Sequence, residues 1–283
     1  MKIGAVLENF CLPYIKALDA AVKIGLDGVQ VRLAGGELNV DALEKKGVKE
    51  LKREIESRGL EISAVCGDLG GFAVKEANGA RIEKTKRIID AAEVLGANII
   101  TTHIGMIPEE KNDNYRVLLD AMKELGGFCG KTFIMAIETG PESASVLKGF
   151  IEEAGPGVGV NFDPANFVMI TGEDEIKAVE LLKDYIVHTH AKDGIKLRKE
   201  VKGSDIYGFW ATGRPEGLDT ASCYRETPVG QGEVRFDSYL RALKGIGYDG
   251  YLTVESELGG DGAGNIGAAS KYLRNALNAL NDL

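Results

Sequence analysis

Cysteine is scarce in this sequence and shows no disulfide or metal-ligand spacing. The four cysteines stand far apart, and no CxxC motif occurs. We therefore expect free, mostly structural thiols in a reducing compartment rather than a disulfide framework. No stretch approaches the roughly 18 uninterrupted apolar residues of a membrane-spanning helix. The N-terminal apolar run contains Glu8, which is untypical of a signal peptide. These absences predict a cytoplasmic protein with no membrane partner.

Basic residues are also in the minority. The chain has 34 Lys and Arg against 43 Asp and Glu, a formal net charge of −9. A nucleic-acid or anionic-membrane surface needs a basic face, so we expect no nucleic acid as a partner. An apolar fraction of 44% and a charged fraction of 27% are ordinary for a folded globular chain. The length suits one barrel-sized domain over residues 1–283.

Eight short apolar runs alternate with helical patterns along the whole chain. Between the runs, apolar residues recur at three- and four-residue spacing, which is typical of amphipathic helices. Several helical patterns end in glycine shortly before the next run, as in KIGLDGVQV and VLGANIITT, and this glycine predicts a left-handed cap. The predicted strands are Ile3–Leu7, Gly28–Leu33, Glu61–Cys66, Asn98–His103, Phe133–Glu138, Val158–Asp163, Ile186–His190 and Tyr251–Glu255.

Eight βα units predict an α/β fold, a single closed (β/α)8 TIM barrel with an outer ring of helices. The main alternative is an open doubly wound sheet. That fold is expected to show a GxGxxG turn after the first strand, where this chain reads LENFCLP. The connection after strand seven, residues 192–235, is the longest and contains the single tryptophan, Trp210. Loops of this length are usually functional, so we expect a lid or a dimer contact.

An acidic or imidazole residue closes four of the runs: Glu138 in FIMAIETG, Asp163 in VGVNFDPANF, His190 in IVHTHAKD and Glu255 in GYLTVESE. Charged groups are rarely buried unless they are paired or bind a metal. Because barrel active sites form at the carboxyl ends of the strands, the four side chains should converge. Three carboxylates and one imidazole suit one divalent ion, Mn²⁺, Co²⁺ or Mg²⁺, with Zn²⁺ less favoured.

Residues near these ligands are further candidates. His188 shares a strand face with His190 but lies one layer deeper, so we expect a hydrogen-bonded histidine behind the ligands. Asp193 could orient a neighbouring ligand. Lys192 lies further outward on the same face, where it either binds a substrate oxygen or phosphate or is a solvated loop lysine. His103 closes the fourth strand and is expected to bind substrate or to be structural.

Weaker candidates for substrate contact close the first three strands, namely Glu8, Arg32 and Asp68. In the long loop, Arg198, Arg214 and Arg225 could bind an anionic substrate, although their spacing does not require it.

The ligand set also suggests a reaction. Two carboxylates on opposite faces of a hydroxyketone can act as base and acid, and we assign these roles to Glu138 and Glu255. One removes a proton from the carbon next to the carbonyl. The ion stabilises the enediolate oxygens, and the other carboxylate returns a proton.

At these residues the chain resembles the sugar isomerase/epimerase superfamily with the xylose isomerase-like barrel. The resemblance covers nearly the whole chain and rests on HIG, AIETG, NFDPAN, HTHAKD, VGQGEVRF and YDGYLTVESE. It implies that the metal is held by Glu138, Asp163, His190 and Glu255, and that the first and last glutamates are the acid/base pair. The substrate would be a sugar, a sugar phosphate or a small hydroxy-keto acid, and the resemblance suggests a homodimer.

Two positions differ from the best-known ketose 3-epimerases. Ala144 stands where those enzymes have a second glutamate, with Glu142 close but not equivalent, and Asn166 stands where they have a histidine. An inosose-type dehydratase, which begins with the same proton abstraction, therefore stays open. Less favoured are a non-catalytic sugar binder and a DNA-repair endonuclease of the same fold. The endonuclease site resembles a three-zinc centre that uses several histidines, and this chain has three in total.

Overall fold

A computed structural model describes residues 1–206 and 219–281 of the chain. Its strands are β1 (Lys2–Val6), β2 (Gly28–Arg32), β3 (Glu61–Cys66), β4 (Ile99–Thr102), β5 (Ile134–Glu138), β6 (Val158–Phe162), β7 (Ile186–Ala191), β8 (Asp193–Lys196), β9 (Tyr224–Thr227) and β10 (Tyr251–Val254). All but β8 and β9 close into a parallel barrel in the order β1-β10-β7-β6-β5-β4-β3-β2. The predicted (β/α)8 barrel is confirmed, and each predicted strand is present with bounds shifted by at most one residue.

One helix follows each barrel strand and packs on the outside. These helices are α1 (Tyr14–Ile24), α2 (Val40–Glu56), α3 (Lys75–Leu95), α4 (Asp113–Cys129), α5 (Ala144–Ala154), α6 (Glu175–Leu182), α7 (Phe236–Gly245) and α8 (Gly262–Asn281). Short 3₁₀ turns span Leu7–Phe10, Gly36–Leu38 and Thr220–Ser222, and a π-helical turn spans Asn166–Thr171. The helix α2 is interrupted at Glu44, which has a φ of 49°.

Local sequence explains where the helices begin and end. Asn112 and Asp174 cap α4 and α6, because each side chain accepts a hydrogen bond from a backbone N–H of the first turn. The glycines predicted as caps behave as expected. Gly25 and Gly96 end α1 and α3 with φ of 80° and 84°, a conformation that costs other residues about 1–2 kcal/mol.

The hydrophobic core lies between the barrel and the helices. Helix α4 buries Leu118 and Met122 against it, and the Tyr115 ring meets Phe150 of α5 edge to face at 5.4 Å. Each fully buried side chain of this size stabilises the fold by about 1.5–3 kcal/mol. No helix within residues 1–206 and 219–281 is long and apolar enough to span a membrane.

The long connection after β7 contains secondary structure of its own. Strands β8 and β9 pair antiparallel, with Asp193 opposite Thr227 and Lys196 opposite Tyr224. This hairpin stands at the carboxyl end of β7 and brings the second half of the loop back toward the barrel mouth. Trp210 and Arg214 lie outside the described residues.

Candidate metal and active site

Four side chains meet at the carboxyl end of the barrel. Glu138, Asp163, His190 and Glu255 each offer one ligand atom, and these atoms all lie within 4.8 Å of one another. Their strands β5, β6, β7 and β10 are consecutive neighbours in the closed barrel, so the four side chains reach the same half of the mouth. The side chains of Glu138, Asp163 and His190 are buried, and that of Glu255 is 16% exposed.

The His190 ring is oriented from behind. Its Nε2 lies 3.2 Å from Asn161 Nδ2 and contacts Gln30 Oε1 across the barrel at 3.3 Å. This contact directs Nδ1 toward the carboxylates, 3.3 Å from Glu255 Oε2 and 3.6 Å from Glu138 Oε1. Within the described chain, buried Nδ1 has no hydrogen-bond partner. A hydrogen bond on one ring nitrogen that frees the other is the arrangement of a metal-binding histidine.

In Asp163, as in His190, one polar atom of the side chain has hydrogen-bond partners and the other has none among the described residues. Its Oδ1 accepts the backbone N–H groups of Ala165 and Asn166 at 2.8 and 3.3 Å. Its Oδ2 is buried and has no hydrogen-bond partner in the part of the chain that the structure describes. An unpaired buried carboxylate oxygen costs about 1–3 kcal/mol or more, so such a group points to a ligand. The donor set fits a divalent cation, and the ligands would be Glu138, Asp163, His190 and Glu255.

The electrostatics of the cluster agree with a cation site. Burial, reinforced by the Glu255 and Glu138 carboxylates, raises the pKa of Asp163 to about 7. Burial alone would lower the pKa of His190, but Glu255 and Glu138 outweigh it and hold that pKa well above its usual range. Without a cation, protons therefore neutralise part of the charge. A divalent ion would replace these protons.

Lys192 lies beside the cluster rather than in solvent. Its buried Nζ donates to Glu255 Oε2 at 3.1 Å and to Glu257 Oε2 at 3.0 Å. Burial would lower the pKa of Lys192, but Glu255, Asp163 and Glu257 outweigh it and raise that pKa well above the usual value. The lysine stays charged and keeps the Glu255 carboxylate ionised, because it is the main group that lowers the Glu255 pKa against burial.

His103 occupies the matching position beside Glu138. Its Nε2 is 3.5 Å from Glu138 Oε1, and its Nδ1 is 3.0 Å from Asp68 Oδ2. Burial opposes the charged ring, but Glu138 and Asp68 outweigh it and raise the pKa of His103 to about 10. Besides His190, which both glutamates share, each glutamate of the cluster thus has one cationic neighbour of its own, His103 for Glu138 and Lys192 for Glu255.

His188 and Asp193 lie behind or beside these groups. His188 Nε2 is 3.0 Å from Thr253 Oγ1, and its ring meets His190 edge to face at 6.0 Å. Asp193 accepts backbone N–H groups from the hairpin and the VGQGEV segment, at Gly194, Gly230, Gly232 and Val234. These contacts anchor the long loop, and none is to a cluster side chain. A Cβ at Gly232 would collide with the Asp193 carboxylate, which explains the glycine there.

Glu8 and Arg32 join two strand ends. Glu8 Oε1 accepts the backbone N–H of Arg32 at 3.1 Å, which ties the turn after β1 to the end of β2. Neither residue is among the described residues that line the central cavity. Their assignment as substrate contacts stays a prediction.

A cavity of about 520 Å³ opens above the cluster, within the usual size of a small-molecule site. Several lining residues had no signal in the sequence. Arg81 and Met106 lie in a helix and a loop, and Tyr224 comes from the hairpin. Glu257 is the exception. It follows Glu255 by two residues, and since side chains two apart on an extended strand face the same side, the sequence could have suggested it. The wall is completed by Asp68, Gly70, Gly71, Ala73, Val74, His103, Gly105, Glu138, Asn166, Lys192 and Glu255.

Three further polar residues near the site were also missed or left without a role. Asn161 Nδ2 donates to Glu138 Oε2 at 3.3 Å, and Asn166 Nδ2 donates to the Thr139 carbonyl at 2.8 Å. Glu142 is buried, and burial raises its pKa to about 7.

Among the loop arginines, Arg198 pairs with Glu200, while neither it nor Arg225 lines the cavity.

Comparison with known proteins places this geometry in context. The model of the family described as xylose isomerase-like TIM barrel matches residues 18–276. A xylose isomerase domain protein from Planctomyces limnophilus superposes with a TM-score of 0.79 at 24% identity, over 94% of this chain and 93% of that one.

Two other solved structures share the fold at lower identity. The probable 3-DHS dehydratase AsbF from Bacillus anthracis gives a TM-score of 0.74 at 17% identity, over 97% of this chain and 99% of that one. A D-tagatose 3-epimerase-like protein gives 0.74 at 19% identity, over 100% and 99%. No curated protein matches the sequence.

Proposed function

The chain belongs to the xylose isomerase-like TIM-barrel family, and we propose that it is a divalent-cation-dependent isomerase or epimerase. Its substrate would be a sugar, a sugar phosphate or a small hydroxy-keto acid. One observation carries the proposal: two acidic side chains, each with a cationic neighbour, flank free ligand atoms of His190 and Asp163 at the base of a substrate-sized cavity. The D-tagatose 3-epimerase-like structure has the same fold, which supports this choice.

The cation, Mn²⁺, Co²⁺ or Mg²⁺ with Zn²⁺ as a further option, would be held by Glu138, Asp163, His190 and Glu255. When bound, it supplies Lewis-acid polarisation of the substrate carbonyl and so acidifies the neighbouring C–H. Glu138 and Glu255 come from β5 and β10, which β6 and β7 separate, so their carboxylates reach the cavity from different sides.

The proton transfers are assigned to these two glutamates. One carboxylate removes the proton next to the carbonyl, which gives the enediolate. The other returns a proton to the opposite face in an epimerase, or to the adjacent carbon in an isomerase. Lys192 keeps Glu255 ionised before the reaction, and His103 contacts Glu138 in the corresponding way. The Lys192 and His103 side chains also line the cavity, where they can donate hydrogen bonds to substrate oxygens.

The test is exchange of substrate C–H protons with D₂O, followed by NMR. The panel contains ketoses, ketose phosphates, inososes and hydroxypyruvate, with Mn²⁺ and then with chelator. We expect cation-dependent deuterium uptake beside the carbonyl, lost in Glu255→Gln. Glu257→Gln is the matched control, because Glu257 contacts the same lysine but is not in the cluster. Equal exchange in the wild type and Glu255→Gln would contradict the proposal.

A dehydratase is the second candidate, and one observation favours it. His103 lines the cavity, is charged, and is supported by Asp68 at 3.0 Å, so it is placed to protonate a leaving hydroxyl. The fold likeness to the probable dehydratase adds support. Formation of an unsaturated product from an inosose, measured by ultraviolet absorbance, would favour this activity over epimerisation.

The remaining assignments are part of the same proposal. We place the enzyme in the cytoplasm, which the four free cysteines support. The loop of residues 192–235 would serve as a lid or as the contact of a homodimer, since its hairpin supplies Tyr224 to the cavity wall. The net charge of −9 favours a small-molecule substrate over nucleic acid or a membrane.

A further inference from the structure

We infer that Arg81 binds an anionic group of the substrate, a carboxylate or a phosphate, at the wall of the cavity formed by the loop after β3. The inference rests on the proposed function, because it concerns the substrate of the same site. Arg81 lies in α3 and lines the cavity together with Gly70 and Gly71. It would select which members of the sugar and keto-acid class the enzyme accepts.

Arg81 is held in place by one hydrogen bond, and its guanidinium makes no other within residues 1–206 and 219–281. Its Nη1 donates to the Gly71 carbonyl at 2.5 Å, which fixes the guanidinium against the loop. A guanidinium carries five N–H donors in a planar fork, so most of its hydrogen-bonding capacity is left for a ligand.

The charges around the cavity single out this arginine. Lys192 is neutralised by Glu255 and Glu257, and His103 is paired with Asp68. Within residues 1–206 and 219–281, no carboxylate forms an ion pair with Arg81. A cation at the wall of a substrate cavity without a counter-ion from the protein matches a counter-ion carried by the substrate.

The surrounding backbone leaves room for such a group. Gly70 and Gly71 have φ of 83° and 80°, and neither presents a side chain to the cavity. A Cβ at Gly71 would lie 2.8 Å from the Ile104 carbonyl oxygen, so glycine is required for the two loops to pack. The wall beside the guanidinium is therefore bare backbone, and Ala73 and Val74 continue it as an apolar surface.

Carboxylate and phosphate groups match the planar fork by bidentate hydrogen bonds, whereas a neutral hydroxyl uses little of its charge. The reactive carbonyl belongs at the cluster of Glu138, Asp163, His190 and Glu255, and Arg81 lines the wall of the same cavity. A substrate that carries both a reactive carbonyl and an anionic group would satisfy both.

The inference is tested by direct binding to Mn²⁺-loaded protein, measured by calorimetry with matched probes. One pair is D-xylulose and D-xylulose 5-phosphate; the other is dihydroxyacetone and hydroxypyruvate. We expect the charged member of one pair to bind at least about tenfold more tightly than its neutral partner. In Arg81→Gln, which removes the charge but keeps a polar side chain, this preference should disappear while the neutral member binds unchanged. The pair that responds distinguishes phosphate from carboxylate.

Two further variants separate ligand binding from a structural role. Arg81→Lys should recover part of the preference, because it restores the charge but not the fork. Arg87→Gln, on the same helix but paired with Asp41, should behave as the wild type. If no charged probe loses affinity in Arg81→Gln, or if the neutral probes lose as much, the inference is wrong. The exchange assay with Glu255→Gln tests the proposed function separately, since it does not depend on charged substrates.

Discussion

Two histidines on one strand show that two layers of the barrel interior are built differently. The deeper layer contains His188, and the outer layer, at the carboxyl ends of the strands, contains His190. His188 and His190 lie two residues apart on β7 and their rings are 6.0 Å apart. The deeper ring is hydrogen-bonded to Thr253, and burial together with His190 lowers the pKa of His188 well below its usual value. The outer ring faces carboxylates, which hold its pKa well above that value. Residue type and strand face are therefore insufficient to assign a role.

The layers also differ in how completely their polar atoms are satisfied. In the deeper layer, the Thr253 hydroxyl is hydrogen-bonded to His188 Nε2 at 3.0 Å and to the Ser63 hydroxyl at 3.5 Å. In the outer layer, His190 Nδ1 and Asp163 Oδ2 are buried without a hydrogen-bond partner among the described residues. These polar side chains of the deeper layer have hydrogen-bond partners within the fold, whereas the outer layer has the unpaired buried atoms that are typical of a ligand site.

The largest effect expected from this comparison is on catalysis. Glu138→Gln removes an outer-layer base but keeps the size of the side chain, so the rate of deuterium exchange should fall by about 10²–10⁴-fold. The protein should still fold, since the substitution removes one of several close negative charges. Exchange within threefold of the wild type would exclude Glu138 from proton transfer.

The next effect concerns cation binding. Mn²⁺ at about a hundred times its dissociation constant should stabilise the wild type by about 2.7 kcal/mol, seen as a rise in Tm. His190→Gln should abolish that rise because it removes the nitrogen that faces the carboxylates. His188→Gln is the matched control on the same strand and should retain most of it. A loss of equal size in both variants would remove the distinction between the layers.

A smaller effect should follow from changing a residue that only supports the ligands. Asn161 contacts both Glu138 and His190, at 3.3 and 3.2 Å. Asn161→Leu should weaken Mn²⁺ binding by about 10–100-fold without removing a ligand. Calorimetric titration measures this, and an unchanged affinity would show that the outer layer needs no such support.

The smallest effect should come from the deeper layer and should appear in stability alone. Thr253→Val keeps the shape of the side chain but leaves His188 Nε2 without its partner. The free energy of unfolding in denaturant should fall by about 1–3 kcal/mol. The stabilisation by Mn²⁺ should be unchanged, and its loss would indicate that the two layers are coupled.

Much of the fold and the centre of the candidate site could be predicted from the sequence. The strands were predictable because parallel barrel strands are buried on both faces and read as short apolar runs. Glu138, Asp163, His190 and Glu255 stood out because each ends such a run with a group that water would normally solvate. Arg81 gave no such signal, since an arginine in an amphipathic helix is ordinary on any solvent-facing side.

The sequence by itself determined the alternation of strands and helices, the glycine caps and the residues that close the strands, because these depend on neighbours within a few positions. Only the tertiary structure decided which atoms meet. Gln30 and His190 are 160 residues apart and contact each other across the closed barrel. Asp193 and Val234 are 41 residues apart, yet one anchors the other. The first contact follows from closure of the barrel and the second from the folding of the long loop back onto its own hairpin, and no local sequence pattern relates either pair of positions.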